Sequence, residues 1–248
     1  MHTWFDTHIH LLAPEWQQSP EELCQLALAS GIAGMLLPGV RVGDWPGLLE
    51  LALQLPEVYV APGLHPAYAN QWNTQAEQQL QALTREPQVV AIGEIGLDAV
   101  AGPALAEQEV VFRAQLRIAL EAELPVLLHC RKTTGRVMDI LREMEIGERI
   151  GGIWHGFSGS VQIAQELVRS GFMIGIGPIL LRKSALKLPQ VVLTLPEGAM
   201  VLETDAPDMI AVPDGLIQVA KRLAALRGET LEKTCQVTGD SARRLLKI

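Results

Sequence analysis

Aromatic residues make up only 4% of this 248-residue chain, and cysteine occurs three times. Scarce aromatics point to a core of Leu, Val, Ile and Ala, which is what parallel strands buried on both faces require. Cys24, Cys130 and Cys235 are far apart and odd in number, and no CxxC occurs. That excludes a zinc ribbon and a redox dithiol, and the three read as buried, reduced thiols. Long apolar runs are missing too: none approaches the roughly 18 residues of a membrane span. Residues 1–6 have neither the basic nor the apolar stretch of a signal peptide. The expected location is therefore the cytoplasm, with no membrane contact and no obligate protein partner. Positive charge is in deficit, 20 Lys and Arg against 28 Asp and Glu, a formal net charge of −8. The densest basic pairs outside the C-terminus are Arg131-Lys132 and Arg182-Lys183, and no basic stripe forms. Tight non-specific nucleic-acid binding, which needs many phosphate contacts, is excluded. An enzyme that grips a short strand end is not.

What is present is alternation. Short apolar runs at 3–8, 33–38, 58–63, 89–93, 126–129, 152–155, 173–177 and 200–204 are separated by longer segments of helical pattern. Ser19 followed by Pro20 and Glu22 marks a helix start, Thr74 with Glu77 repeats the pattern, and Thr230 marks another. Residues 107–124 read as an amphipathic helix, after which Pro125 opens a strand. Eight strand–helix units in about 250 residues predict an α/β chain folded as a (β/α)8 TIM-type barrel, regular or distorted. One domain over residues 1–248 is expected. A Rossmann-like sheet is disfavoured, because no GxGxxG follows the first strand; that strand ends in histidines.

Those histidines begin the chemistry. In Asp6-Thr7-His8-Ile9-His10, side chains at i and i+2 of a strand share a face, so His8 and His10 point the same way. Alone, the pair fits a metal site or a hydrogen-bonded core equally well. Four further residues shift the balance: Glu94, His129, His155 and Asp205 each follow an apolar strand run. In TIM barrels active sites are built at that end. Buried carboxylates need compensation, and divalent cations supply it. Six N/O donors exceed one four-coordinate zinc and suit two adjacent divalent ions, with two-oxygen Glu94 as the natural bridge. Zn, Mn, Mg or Ni all accept such ligands.

The ordered motifs resemble the TatD family of metal-dependent hydrolases, within the amidohydrolase superfamily. They are Asp6-Thr7-His8-Ile9-His10, Gly63-Leu64-His65-Pro66, Gly93-Glu94-Ile95-Gly96-Leu97-Asp98, Leu128-His129-Cys130-Arg131, His155-Gly156-Phe157-Ser158-Gly159 and Leu202-Glu203-Thr204-Asp205-Ala206-Pro207. Gln108, Phe112, Gln115 and Leu116 match the helix before the fifth strand. The resemblance implies a distorted TIM barrel with two metal ions. It assigns His8 and His10 to one ion, His129 and His155 to the other, Glu94 to both, and contact with the first ion and proton handling to Asp205. It also implies 3′→5′ exonuclease or related phosphodiesterase activity, with one branch linked to removal of D-amino acids from tRNA.

Three stretches depart from the family pattern. Residues 208–215 are short and lack the usual Tyr, Arg and Lys; residues 99–104 are small and apolar; Lys132-Thr133 replaces an acidic residue and alanine. The pattern is nearest a YjjV-like branch. Two substrate classes stay open: nucleic-acid ends, and small phosphoesters, esters or amides, D-aminoacyl esters included. At the site's margin, His65 and Arg131 are expected to contact substrate, and Glu203 to orient a histidine or Asp205. Asp6 and Asp98 are expected to act in turns or behind the ligands.

Overall fold

The computed structural model describes residues 3–212 and 215–248. Among them are eight strands: β1 (Trp4–Asp6), β2 (Ile32–Pro38), β3 (Val58–Ala61), β4 (Ile92–Asp98), β5 (Val126–Arg131), β6 (Gly152–Trp154), β7 (Phe172–Ile176) and β8 (Met200–Leu202). The helices are α1 (Pro20–Ala29), α2 (Trp45–Gln54), α3 (Thr74–Leu83), α4 (Leu105–Ala122), α5 (Thr134–Glu143), α6 (Ile146–Arg149), α7 (Val161–Arg169), α8 (Lys187–Thr194), α9 (Gly215–Arg227) and α10 (Leu231–Leu246). No helix of the described residues is long and apolar enough to cross a membrane. The strands are buried almost throughout, as apolar runs covered on both faces should be.

The chain divides into two compact units, one of Met1–Leu37 with His155–Ile248 and one of Pro38–Trp154. In the first, parallel strands run in the order β7, β8, β1, β2. Ile174, Gly175 and Ile176 lie opposite Met200, Val201 and Leu202, and Trp4 and Asp6 lie opposite Ile32 and Met35. The segments following β8 and β1 stay paired: Thr7 N–H donates to Leu202 O at 2.9 Å, Asp205 N–H to His8 O at 2.8 Å, and His10 N–H to Ala206 O at 2.9 Å. Two chain stretches almost 200 residues apart are thereby fixed against each other where the histidines stand.

In the second unit the parallel order is β3, β4, β5, β6. Val60 bridges to Val89, and Val126, Leu127 and Leu128 face Gly152, Ile153 and Trp154. The fourth strand differs from the expected 89–93. Residues 89–93 follow the β3 segment, with Val90 N–H on Val60 O and Gly93 N–H on Pro62 O, while the longer ladder to β5 runs from Ile92 to Asp98. Its register slips between Gly93 and Ile95, so Glu94 has no partner on β5. Such a bulge re-aims the extra residue's side chain. Gly39 holds it in place, donating to Gly93 O and accepting from Glu94 N–H at 3.0 Å. The strands can approach this closely because Gly39, Gly63 and Gly93 lie in a row. A Cβ on Gly63 would stand 2.6 Å from Gly93 C, and one on Gly93 would stand 2.5 Å from Leu127 Cβ.

Helix starts follow local chemistry. Ser19 and Glu22 form a reciprocal capping box, and Thr230 caps α10. For α3 the cap is Asn73, whose Oδ1 accepts from Ala76 N–H at 3.0 Å, and the expected Thr74 is the first helical residue. Asn and Thr both cap well, and here the extended backbone falls on Asn73.

Candidate metal centre

In the first unit, His8, His10, His155 and Asp205 converge. His8 Nε2 lies 3.1 Å from His10 Nε2. Asp205 Oδ1 stands 3.4 Å from His10 Nε2 and 3.6 Å from His8 Nε2, and its Oδ2 stands 3.7 Å from His155 Nε2. The rings of His8 and His155 stack at 3.7 Å. Asp205 reaches this position from a left-handed backbone, φ 51°, a conformation Asp tolerates better than most residues and one that clusters at functional sites. Burial disfavours the ionised Asp205 carboxyl, but His155, His10 and His8 outweigh it and hold the group well below the usual carboxylate range.

Two further acids organise this cluster from behind. Asp6, fully buried, accepts from the N–H of His8 at 3.1 Å, the N–H of Thr204 at 3.0 Å and the Thr204 hydroxyl at 2.6 Å. Burial pushes its carboxyl up to about 7, against the pull of those hydrogen bonds. Glu203 is 1% exposed; its Oε1 accepts from Gly156 N–H at 2.7 Å and its Oε2 lies 3.3 Å from His155 Nδ1, leaving Nε2 to face Asp205. Glu203, expected to orient a histidine or Asp205, thus stands directly behind the His155 ring. Asp208, exposed, brings a third carboxylate to within ligand range of His10 and Asp205.

In the second unit the cluster is His65, Glu94, Asp98 and His129. His129 Nδ1 lies 2.7 Å from Glu94 Oε1 and its Nε2 lies 3.0 Å from Asp98 Oδ2, so one imidazole is gripped between two carboxylates. His65 Nε2 is 3.1 Å from His129 Nδ1 and 3.9 Å from Glu94 Oε1. His65, expected as a substrate contact, is thus drawn into the ligand cluster itself. Burial opposes the ionised Asp98, but N–H donors from Val100 and Ala101 and the His129 ring prevail and lower its pKa. Arg131 lies exposed at the end of β5.

Helix α4 supplies support that the residue types alone did not reveal. Gln115, 1% exposed, clasps the backbone of Leu64, accepting from its N–H at 2.6 Å and donating to its O at 3.1 Å, and so fixes the residue before His65. Gln108 does the same for Asp98, at 2.8 and 2.9 Å. They stand two turns apart on one buried face. A polar i, i+7 pair on an apolar helix stripe is the signal that could have found them.

The donor sets fit divalent cations. Four ligands about 2.0–2.1 Å from a tetrahedral ion stand roughly 3.3–3.4 Å from one another. The His8, His10 and Asp205 separations of 3.1–3.6 Å match that spacing. His8, His155 and Asp205 form one group whose ligand atoms lie within 4.8 Å of each other, and His65, Asp98 and His129 form another. An imidazole whose second nitrogen faces a buried carboxylate, as in His155 with Glu203, is the usual form of a metal-binding histidine.

The sequence profile of the TatD related DNases matches residues 5–247. The chain belongs to the TatD family. It is 32% identical to the 3′-5′ ssDNA/RNA exonuclease TatD of Salmonella typhimurium, over 98% of this chain and 99% of that protein. It is 36% identical to YjjV of Escherichia coli K12, an uncharacterized metal-dependent hydrolase, over 83% of this chain and 80% of that protein. The crystal structure of the YjjV TatD homolog superposes with a TM-score of 0.92 at 31% identity, over 99% of this chain and 98% of that one. This TatD-family chain therefore has the α/β fold of the TIM-barrel hydrolases, eight parallel strands alternating with helices, and is a metal-dependent hydrolase.

Proposed function

We propose that the protein hydrolyses phosphodiester bonds at the ends of single-stranded nucleic acids, using two divalent cations. The observation that carries this reading is the pair of convergent donor groups, one of His8, His155 and Asp205 and one of His65, Asp98 and His129, in a chain that matches a 3′-5′ ssDNA/RNA exonuclease along almost its whole length. His8, His10, His155 and Asp205 form one ligand set; Glu94 and His129 supply the other. Bound there, such ions acidify water and polarise a phosphoryl oxygen.

The protein's own residues do the rest. Asp205, held ionised by three imidazoles, accepts the proton of the attacking water and returns it to the leaving oxygen. Glu203 keeps His155 in one ring orientation, and Asp98 does so for His129. His65 Nε2, beside Glu94 and His129, faces the phosphate as it arrives. Arg131 offers a guanidinium fork to a neighbouring phosphate.

A second reading, hydrolysis of a small ester or amide, is favoured by one observation. The segment after Pro207 carries Asp208 beside His10 and Asp205, where phosphate repulsion would be felt, and residues 208–212 include no Lys or Arg. Incubating metal-loaded protein with end-labelled single-stranded DNA, alongside chromogenic phosphodiesters and carboxylic esters, separates the two. Progressive shortening of the labelled strand supports the nuclease reading. An intact strand with rapid ester cleavage overturns it in favour of the second.

A further inference from the structure

Two loops of the second unit carry a pair of side chains that no metal ligand uses. Arg41 lies two residues beyond Gly39, whose carbonyl takes the Glu94 N–H, and Tyr68 lies three residues beyond His65. The loops are tied together: His65 N–H donates to Val40 O at 3.1 Å. The Arg41 guanidinium lies over the Tyr68 ring, 4.7 Å from its centroid, and donates to the Tyr68 hydroxyl at 3.0 Å. The Tyr68 ring meets His65 edge-on, with centroids 6.5 Å apart. Arg41, Tyr68, His65 and His129 thus form a continuous row that ends at Glu94. Arg41 is exposed and Tyr68 half-buried at the outer end of that row.

A guanidinium held over an aromatic ring and hydrogen-bonded to its hydroxyl, beside His65, suits one kind of substrate part. Guanidinium forks pair with phosphate oxygens, and both tyrosine rings and guanidinium planes stack nucleobases without regard to sequence. Holding the guanidinium in place beforehand reduces the ordering needed on binding. We propose that Arg41 and Tyr68 form a nucleotide clamp: Arg41 pairs with a backbone phosphate, and the Arg41–Tyr68 stack receives the base of a nucleotide next to the bond being cut. The clamp rests on the nuclease reading and names the part of the chain that would replace the missing basic loop.

The test is binding, by fluorescence anisotropy, of metal-loaded protein to two labelled probes: a short phosphorothioate oligothymidylate, and an abasic strand of equal length. Tyr68→Leu is expected to weaken oligothymidylate binding roughly tenfold and leave abasic binding unchanged, and Tyr68→Phe to stay near wild type. Arg41→Gln is expected to weaken both and to reduce the slope of log affinity against log salt by about 0.7, the share of one phosphate contact. Equal affinities and slopes in all variants, in a protein that still shortens end-labelled DNA, overturn the clamp alone. A wild-type protein that neither binds the strands nor shortens DNA overturns the clamp and the nuclease reading together.

Discussion

The Glu203 carboxylate stands behind His155: Oε2 lies 3.3 Å from Nδ1, while Oε1 takes the N–H of Gly156 at 2.7 Å. The ring has one nitrogen left to face Asp205, and it faces it. Glu203→Gln keeps the shape but removes the charge that fixes the ring and raises its basicity. Metal affinity or turnover is expected to fall about tenfold to a hundredfold with little loss of stability. Zinc titration and steady-state kinetics of the purified variant check it; wild-type values in both would refute the role.

Gly175, on β7, makes room for that carboxylate. A Cβ there would stand 2.3 Å from Glu203 Oε2, closer than real contacts allow. Gly175→Ala is expected to displace Glu203 and reproduce the defect of Glu203→Gln. Combined in one protein, the two changes should cost little more than either alone, because they act through the same contact. Additive losses would mean that Gly175 acts by another route.

Asp205→Asn preserves the left-handed backbone, which Asn also tolerates, and keeps one oxygen for metal. It removes the proton acceptor. The expected result is substantial metal retention with turnover lower by about a hundredfold or more. Full activity in a variant of verified sequence and metal content contradicts the assignment.

Asp6 gives the metal-free protein a pH signature. Its buried carboxyl titrates at about 7, against an ordinary 3.8. The folded protein therefore keeps a proton that the unfolded chain has already released. The stability Asp6 contributes is fully present below the ordinary value and is lost as pH rises through about 7. Relative to Asp6→Asn, the thermal midpoint of the wild type should fall between about pH 4 and pH 8. Parallel curves across that window would contradict this.

Much of the fold was legible because each strand is a short apolar run, and the runs needed no tertiary information to be seen. The candidate metal ligands stand out for the same reason: a polar residue terminating an apolar strand is conspicuous, as His129 is after Leu128. Other features depend on contacts between distant residues. The bulge at Glu94 is flanked by hydrogen bonds to Gly39, fifty-five positions earlier, and the strand extends to Asp98 through its pairing with β5 instead of stopping at Gly93. His65 reads as a substrate contact, and its place beside His129 and Glu94 emerges only once Gln115, on α4, pins the residue before it. The company His155 keeps, with His8 and Asp205, follows from pairing between β8 and β1 that no local pattern announces. Asn73 and Thr74 are equally good caps in sequence, and only the backbone angle decides between them.

The most direct test is the metal content itself. Purified protein, stripped with a chelator and dialysed against zinc, is analysed for bound metal beside His8→Ala and Glu94→Ala. Two ions per chain are expected in the wild type, fewer in each variant, with hydrolysis restored only on reloading. A wild-type chain that retains no zinc, or variants that hold as much as the wild type, would contradict it.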